Sequence, residues 1–139
     1  MAMSPQVARL QRRLEAIPKS VREAVQPSLV TSGEELARLM RQLAPEDEGD
    51  LKESIAVTAP GKQTPAYSQP GGSRVAGELE VLVTVGNEDV RYPHLQEYGT
   101  AHHEAQPFFW PAFRLLRKRL SNRTKRAVAK AVREHWKNQ

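Results

Sequence analysis

The chain has no cysteine among its 139 residues. That absence excludes a disulfide scaffold, a thiol nucleophile, thiolate zinc sites and iron–sulfur ligation together. Aromatic residues are scarce at 6%, and no apolar run approaches the roughly 20 residues a helix needs to cross a bilayer. The opening stretch MAMSPQVARLQRRLEA lacks the apolar core of a signal peptide. Catalytic and nucleotide signatures are missing too: there is no GxSxG, no GxGxxG, no phosphate loop and no i,i+4 histidine pair. These gaps predict a soluble protein of a cytoplasm-like setting, not an enzyme, with no cofactor and no membrane contact.

Charge is present but uneven. The formal net charge is +5, from 21 Lys and Arg against 16 Asp and Glu. Residues 114–139 alone hold ten of the cations and a single acid, Glu134, a local charge of +9. The remainder is net acidic by about four, most of it from Glu46, Asp47, Glu48, Asp50 and Glu53. Such a dipolar layout suits either a polyanion on one side or a head-to-tail contact between copies of the chain.

Periodicity predicts the elements. Residues 4–17 read as a helix: Ser4 caps it, Pro5 fits its first turn, and Val7, Leu10, Leu14 and Ile17 form one stripe at helical spacing. Residues 19–43 continue helical as one kinked helix or two collinear ones, because Pro27 removes a hydrogen bond and Gly33 adds backbone entropy. Ser32 followed by Glu35 reads as a capping box for the second half. Ser54–Ala59 alternates like a strand, and residues 78–86 (ELEVLVTVG) form the best strand, with Leu79, Val81, Val83 and Val85 on one face. Between them, residues 60–77 hold three prolines and four glycines and read as a long mobile loop. Residues 108–136 form the longest helix, with Phe113, Leu116, Leu120, Ala127, Val128, Ala131 and Val132 as its apolar stripe. The expectation is one α+β domain over 1–139. N-terminal helices (1–44) and a long basic C-terminal helix (108–139) pack on a small antiparallel sheet within 45–107.

Four constellations invite a chemical reading. His102-His103-Glu104, with His94 nearby, suggests a metal, but adjacent histidines diverge on a regular backbone, so an exposed loop pair is the better reading. Asp47, Asp50 and Glu53 supply oxygen ligands in principle, yet lack the order of a calcium loop and suit a solvated helix N-terminus better. On the C-terminal helix, Arg114, Arg117, Lys118, Arg123, Lys125 and Arg126 are the charges that face either a neighbouring subunit, with Glu46, Asp47 and Asp50 opposite, or DNA phosphates. Tyr92, Tyr98, Phe108, Phe109, Trp110 and Phe113 gather six of the eight aromatics, and either close the core or centre an interface.

Two stretches carry more than composition. Leu43-Ala44-Pro45-Glu46-Asp47-Glu48-Gly49-Asp50-Leu51-Lys52-Glu53-Ser54-Ile55 runs from a helix end through an acidic turn into Leu-x-x-Ser-Ile. After an intervening strand come Tyr92-Pro93-His94-Leu95-Gln96-Glu97-Tyr98-Gly99-Thr100 and Ala105-Gln106-Pro107-Phe108-Phe109-Trp110-Pro111-Ala112-Phe113. In this order they resemble the minor tail-component, head–tail joining family of long-tailed bacteriophages and gene transfer agents, over roughly residues 20–120. The positions that carry the resemblance are Pro45, Gly49, Leu51, Ser54, Ile55, Tyr92, Glu97, Tyr98, Gly99, Thr100, Pro107, Phe108 and Pro111. Glu48 before Gly49, Pro93 and the length of the 60–77 loop depart from the family pattern.

The resemblance implies a structural virion protein at the head–tail junction, a tail terminator or neck ring. It also implies a ring of copies of the same chain, typically six, meeting the tail tube on one side and the head-closure protein on the other. Assembly would take place in the host bacterial cytoplasm, and double-stranded DNA would be a non-specific passenger through the lumen. The alternative reading is a small basic DNA-binding or DNA-packaging accessory protein. A metal-dependent enzyme using His102, His103 and the acidic turn is a remote third.

Overall fold

The computed structural model describes residues 4–16, 18–45, 49–90, 98–99 and 107–138. In chain order these form α1 (Pro5–Ala16), α2 (Lys19–Leu43), the short α3 (Gly49–Glu53), β1 (Ala56–Thr58), β2 (Leu82–Thr84) and α4 (Phe109–Lys137). The strands pair antiparallel with Ala56 opposite Thr84, Val57 opposite Val83 and Thr58 opposite Leu82. The architecture is α+β, as the periodicity predicts, with two long helices and a small sheet.

α1 starts as its first residues dictate: the Val7 amide donates to Ser4 Oγ at 3.2 Å, and the Ala8 amide to the Ser4 carbonyl at 2.9 Å. For residues 19–43 the first of the two expected forms, one helix, is found. α2 is a single assigned helix that runs through both Pro27 and Gly33, so Ser32 and Glu35 do not cap anything. Gly33 is there because α2 lies hard against the sheet. A Cβ built on it would sit 2.7 Å from Val81 Cγ1 and 3.0 Å from Val57 Cγ1. The helix ends where Ala44 turns extended and its amide donates to the Met40 carbonyl, ahead of Pro45.

α2 and α4 run antiparallel, a direction fixed by three contacts along their length. Ser20 meets His135, Val21 and Val25 cluster with Ala131, and Ser32 and Glu35 meet Arg123. The main core joins Leu36, Ala37, Met40 and Ala44 of the α2 end to Leu51, Ile55, Val85, Val90, Phe108, Phe109 and Ala112.

Three local expectations are corrected. The predicted strand over 78–86 shrinks to Leu82–Thr84. The Glu80 carboxylate accepts from the Gly77 amide and from Arg74, which curls the chain, and Leu79 joins the Val21, Val25 and Ala131 cluster rather than the sheet face. Residues 60–77 are not a structureless loop. Gly61, Thr64 and Ala76 amides donate to the Ala76, Arg74 and Lys62 carbonyls, and Gln69 and Val85 exchange two backbone bonds, which folds the segment into an antiparallel excursion with Thr64, Ser68 and Ala76 buried. On α4, Phe113, Val128 and Val132 from the predicted apolar stripe remain substantially exposed, whereas Phe109, Ala112 and Ala131 are buried.

Candidate functional site

The motif residues divide into those that build the core and those at its margin. Leu51 and Ile55 are buried among α2 and α4 side chains. Between them, the Ser54 hydroxyl donates to the Leu51 carbonyl at 2.6 Å and accepts from the Gly86 amide at 3.0 Å. One hydroxyl thereby joins the end of α3 to the turn after β2, across 32 residues of sequence. That is a physical reason for Leu-x-x-Ser-Ile: two apolar anchors with a donor–acceptor side chain between them. Replacing Ser54 with Ala leaves the Gly86 amide buried without its acceptor, so the expected loss is about 1–3 kcal/mol. Urea denaturation of the variant checks this, and an unchanged midpoint disproves it.

Pro45 follows α2 directly, and Gly49 opens α3 with Asp50 in its first turn, where a carboxylate complements the helix dipole. Glu46, Asp47 and Glu48 lie outside the described residues, as do Tyr92, Glu97, Thr100, His94, His102 and His103. Gly99 has φ +77°, in the left-handed region that favours glycine. Tyr98 is 70% exposed, and its hydroxyl accepts from Trp110 Nε1 at 2.8 Å. Pro107 is exposed, Phe108 is fully buried, and Pro111 falls in the first turn of α4, where a missing amide costs nothing. The aromatic block therefore splits. Phe108 and Phe109 enter the core, while Tyr98 and Phe113 stay outside and Trp110 bridges them with T-shaped contacts to Phe109 and Phe113.

The basic helix also divides. Arg123, expected among the outward cations, instead turns its guanidinium inward, donating to Ser32 Oγ at 3.1 Å and to Glu35 Oε2 at 2.6 Å. Arg119 reaches the other carboxylate oxygen of Glu35 at 2.9 Å. Glu35 is the partner of both cations: Ser32 and Glu35, at i,i+3, face α4 rather than cap an N-terminus. The hydrogen bond from Arg123 holds the Glu35 carboxyl below the usual carboxylate range. The charges of Arg123, Arg119 and Arg38 add to this, against an opposing effect of burial.

A carboxyl whose folded pKa is depressed stabilises the fold fully above its ordinary pKa. That contribution is lost as pH falls through the depressed value. Glu35→Gln is therefore expected to melt lower than the parent at pH 7, with the gap closing as pH drops below the ordinary carboxylate range. Melting curves across pH 7 to 2 check it, and a gap independent of pH contradicts it.

Arg114, Arg117, Lys118, Lys125 and Arg126 are exposed. None makes an ion pair among the described residues. A second positive surface lies at the far end of α2, where Arg38, Arg41, Gln42, Lys52 and Glu53 line an open groove of about 550 Å³; there Arg41 also donates to the Ile55 carbonyl at 2.8 Å. Among the described residues no group of His, Asp or Glu is placed to hold a metal, and no helix is long and apolar enough to cross a membrane. The outward chemistry of α4 is positive charge without an ion pair among the described residues.

Comparison with known proteins gives one family match, to the family described as "Bacteriophage HK97-gp10, putative tail-component", over residues 8–99. No curated protein and no solved structure matches significantly. The matched span begins inside α1, takes in α2, α3, both strands and Tyr98-Gly99, and ends before α4.

Proposed function

Since this chain belongs to the HK97-gp10-like family of phage tail components, and so to the structural proteins of phage-like virions, we propose that it forms a ring at the head–tail junction. The ring, of six copies, joins the tail tube to the head-closure protein as a tail terminator or neck component. The observation that carries the reading is the separation of charge: Arg114, Arg117, Lys118, Lys125 and Arg126 on α4, exposed and without an ion pair among the described residues, against the acidic sequence of Glu46, Asp47 and Asp50. Unlike patches on one chain form a heterologous contact, and such contacts close into a ring when the rotation per copy divides the circle. Cations left facing the lumen touch only phosphates, so they let DNA pass without reading it.

Two experiments test this. Gold-labelled antibody against the chain is expected at the head–tail junction of particles in electron micrographs; label elsewhere or nowhere on finished particles overturns the assignment. Reversing Glu46, Asp47 and Asp50 to Lys is expected to abolish rings seen by light scattering and negative-stain microscopy, with the melting temperature kept. Intact rings from that variant remove the charged contact from the proposal.

The unpaired cations of α4 favour one second reading, a DNA-binding or packaging accessory protein. It requires appreciable affinity for duplex DNA near physiological salt and a steep negative slope of log K against log salt. Weak binding with a shallow slope leaves the structural ring.

A further inference from the structure

The segment 60–77 is folded but thinly attached. Its own ladder runs from a stem at Gly61 and Gly77, with the Gly61, Thr64 and Ala76 amides bonded across it. It meets the sheet at a single bridge, Gln69 opposite Val85, through two backbone bonds of 2.8 and 3.0 Å. Tyr67 aside, its other polar ties to the rest of the described residues lie at the stem. The Lys62 amide donates to the Ala59 carbonyl, and the Glu80 carboxylate accepts from the Gly77 amide at 3.0 Å and from Arg74 at 3.2 Å.

Apolar packing does not clamp it. Neither buried apolar cluster of the described residues includes a residue of 60–77, and the residues the segment buries are Thr64, Ser68 and Ala76. Tyr67 and Val75 are 52% and 60% exposed. The fully buried Ser68 hydroxyl has no hydrogen-bond partner in the protein, and neither has the hydroxyl of Thr84, beside Val85 on β2. Covering a hydroxyl without a partner costs free energy that uncovering it returns.

The chain on either side is held firmly. β1 ends at Thr58. After the segment, the Glu78 carbonyl accepts from Gln26 Nε2 at 2.9 Å, its carboxylate lies 3.3 Å from Arg22, and Leu79 packs on Val21, Val25 and Ala131. β2 is held from its other edge by β1 and by Ser54 Oγ, which accepts from the Gly86 amide at 3.0 Å.

We propose that residues 60–77 form a strap that lifts from the sheet as a unit while the body stays folded, baring the Val85 amide and carbonyl at the edge of β2. Segments with few buried apolar contacts open at a lower free energy than the core. A bare strand edge is a template for pairing with another chain, so the closed strap guards β2 and the lifted strap uncovers it. The inference stands independently of the ring reading.

Native-state hydrogen exchange on the full chain, resolved by residue with NMR, tests it. The Gln69 and Val85 amides are expected to exchange together, with protection about tenfold or more below that of Ala37 and Met40 in α2. The Gly86 amide, next in sequence to Val85 but bonded to Ser54, is expected to stay with the core. Low urea is expected to speed Ala37 and Met40 steeply and Gln69 and Val85 little, because the response follows the surface that each opening exposes. Phe108→Leu, a change in the body, is expected to speed the core amides about tenfold and to leave Gln69 and Val85 unchanged. Equal protection of Val85 and Ala37, with the same response to urea and to Phe108→Leu, overturns the strap. Gly86 exchanging in step with Val85 also overturns it, because the sheet then opens together with the segment.

Discussion

Phe108→Ala is expected to cost about 3–5 kcal/mol, the range for removing a large aromatic from a packed core. Phe108 is fully buried in the core that Leu36 and Met40 of α2, Leu51 of α3, and Ile55, Val85 and Val90 also build. It is also the N-cap of α4, with no side-chain hydrogen bond to that helix's free amides. The start of α4 is thus held by burial of this ring rather than by capping, and truncation removes the peg as well as the packing. A loss of this size is a large fraction of the 5–15 kcal/mol that keeps a typical domain folded. Phe113→Ala is the internal control. It comes from the same aromatic block but is 37% exposed, and it is expected to cost less than about 1 kcal/mol, in keeping with substitutions away from packed sites. Urea denaturation of both variants decides the matter; similar losses at the two positions mean that Phe108 does not anchor the helix.

That contrast shows what the sequence can and cannot disclose. Helical spacing and the Ser4 cap locate α1, and the helical spacing over 108–136 locates α4, because both signals are local. The class of the fold follows from them together with the alternating segments 54–59 and 78–86. The division of Phe108, Phe109, Trp110 and Phe113 between core and surface does not, since neighbouring aromatics at a helix entry look alike until the approach of α2 and the sheet determines which rings are covered. Likewise Leu51, Ser54 and Ile55 are visible as a motif, but the role of the Ser54 hydroxyl depends on Gly86, 32 residues away, and no local pattern encodes that distance.

The charged residues tell a similar story. Counting cations along α4 treats Arg119 and Arg123 as equals of Arg114 and Lys118. Their i,i+4 spacing marks them as neighbours on one side of the helix, and the antiparallel packing of α2 brings Glu35 between them. Ser32 and Glu35 satisfy the spacing of a capping box, and the reading as a cap fails only because α2 does not restart at Ser32. Where a local motif competes with a tertiary partner of opposite charge, the partner decides.

Gly33 is where the same competition gives a sign as well as a size. In the interior of an exposed helix, Gly→Ala gains about 1 kcal/mol from helix propensity, so the sequence alone predicts that Gly33→Ala stabilises. The structure reverses the sign. A Cβ at 2.7 Å from Val81 Cγ1 and 3.0 Å from Val57 Cγ1, with Val83 Cγ2 at 3.7 Å, meets three β-branched side chains that have little freedom at χ1. Moving one of them aside drives it toward the others. Overpacking of this kind costs about 1–3 kcal/mol and occasionally more, enough to consume the propensity gain. Gly33→Val, which adds two further methyl groups at the same place, is expected to reach about 3 kcal/mol or beyond. The close approach is tested by the partner: Val81→Ala opens space under Gly33, so adding it to Gly33→Ala is expected to give a smaller loss than the two single changes summed, with a coupling of at least about 0.5 kcal/mol. If instead Gly33→Ala raises the urea midpoint and the two changes simply add, α2 does not pack against the sheet through this glycine.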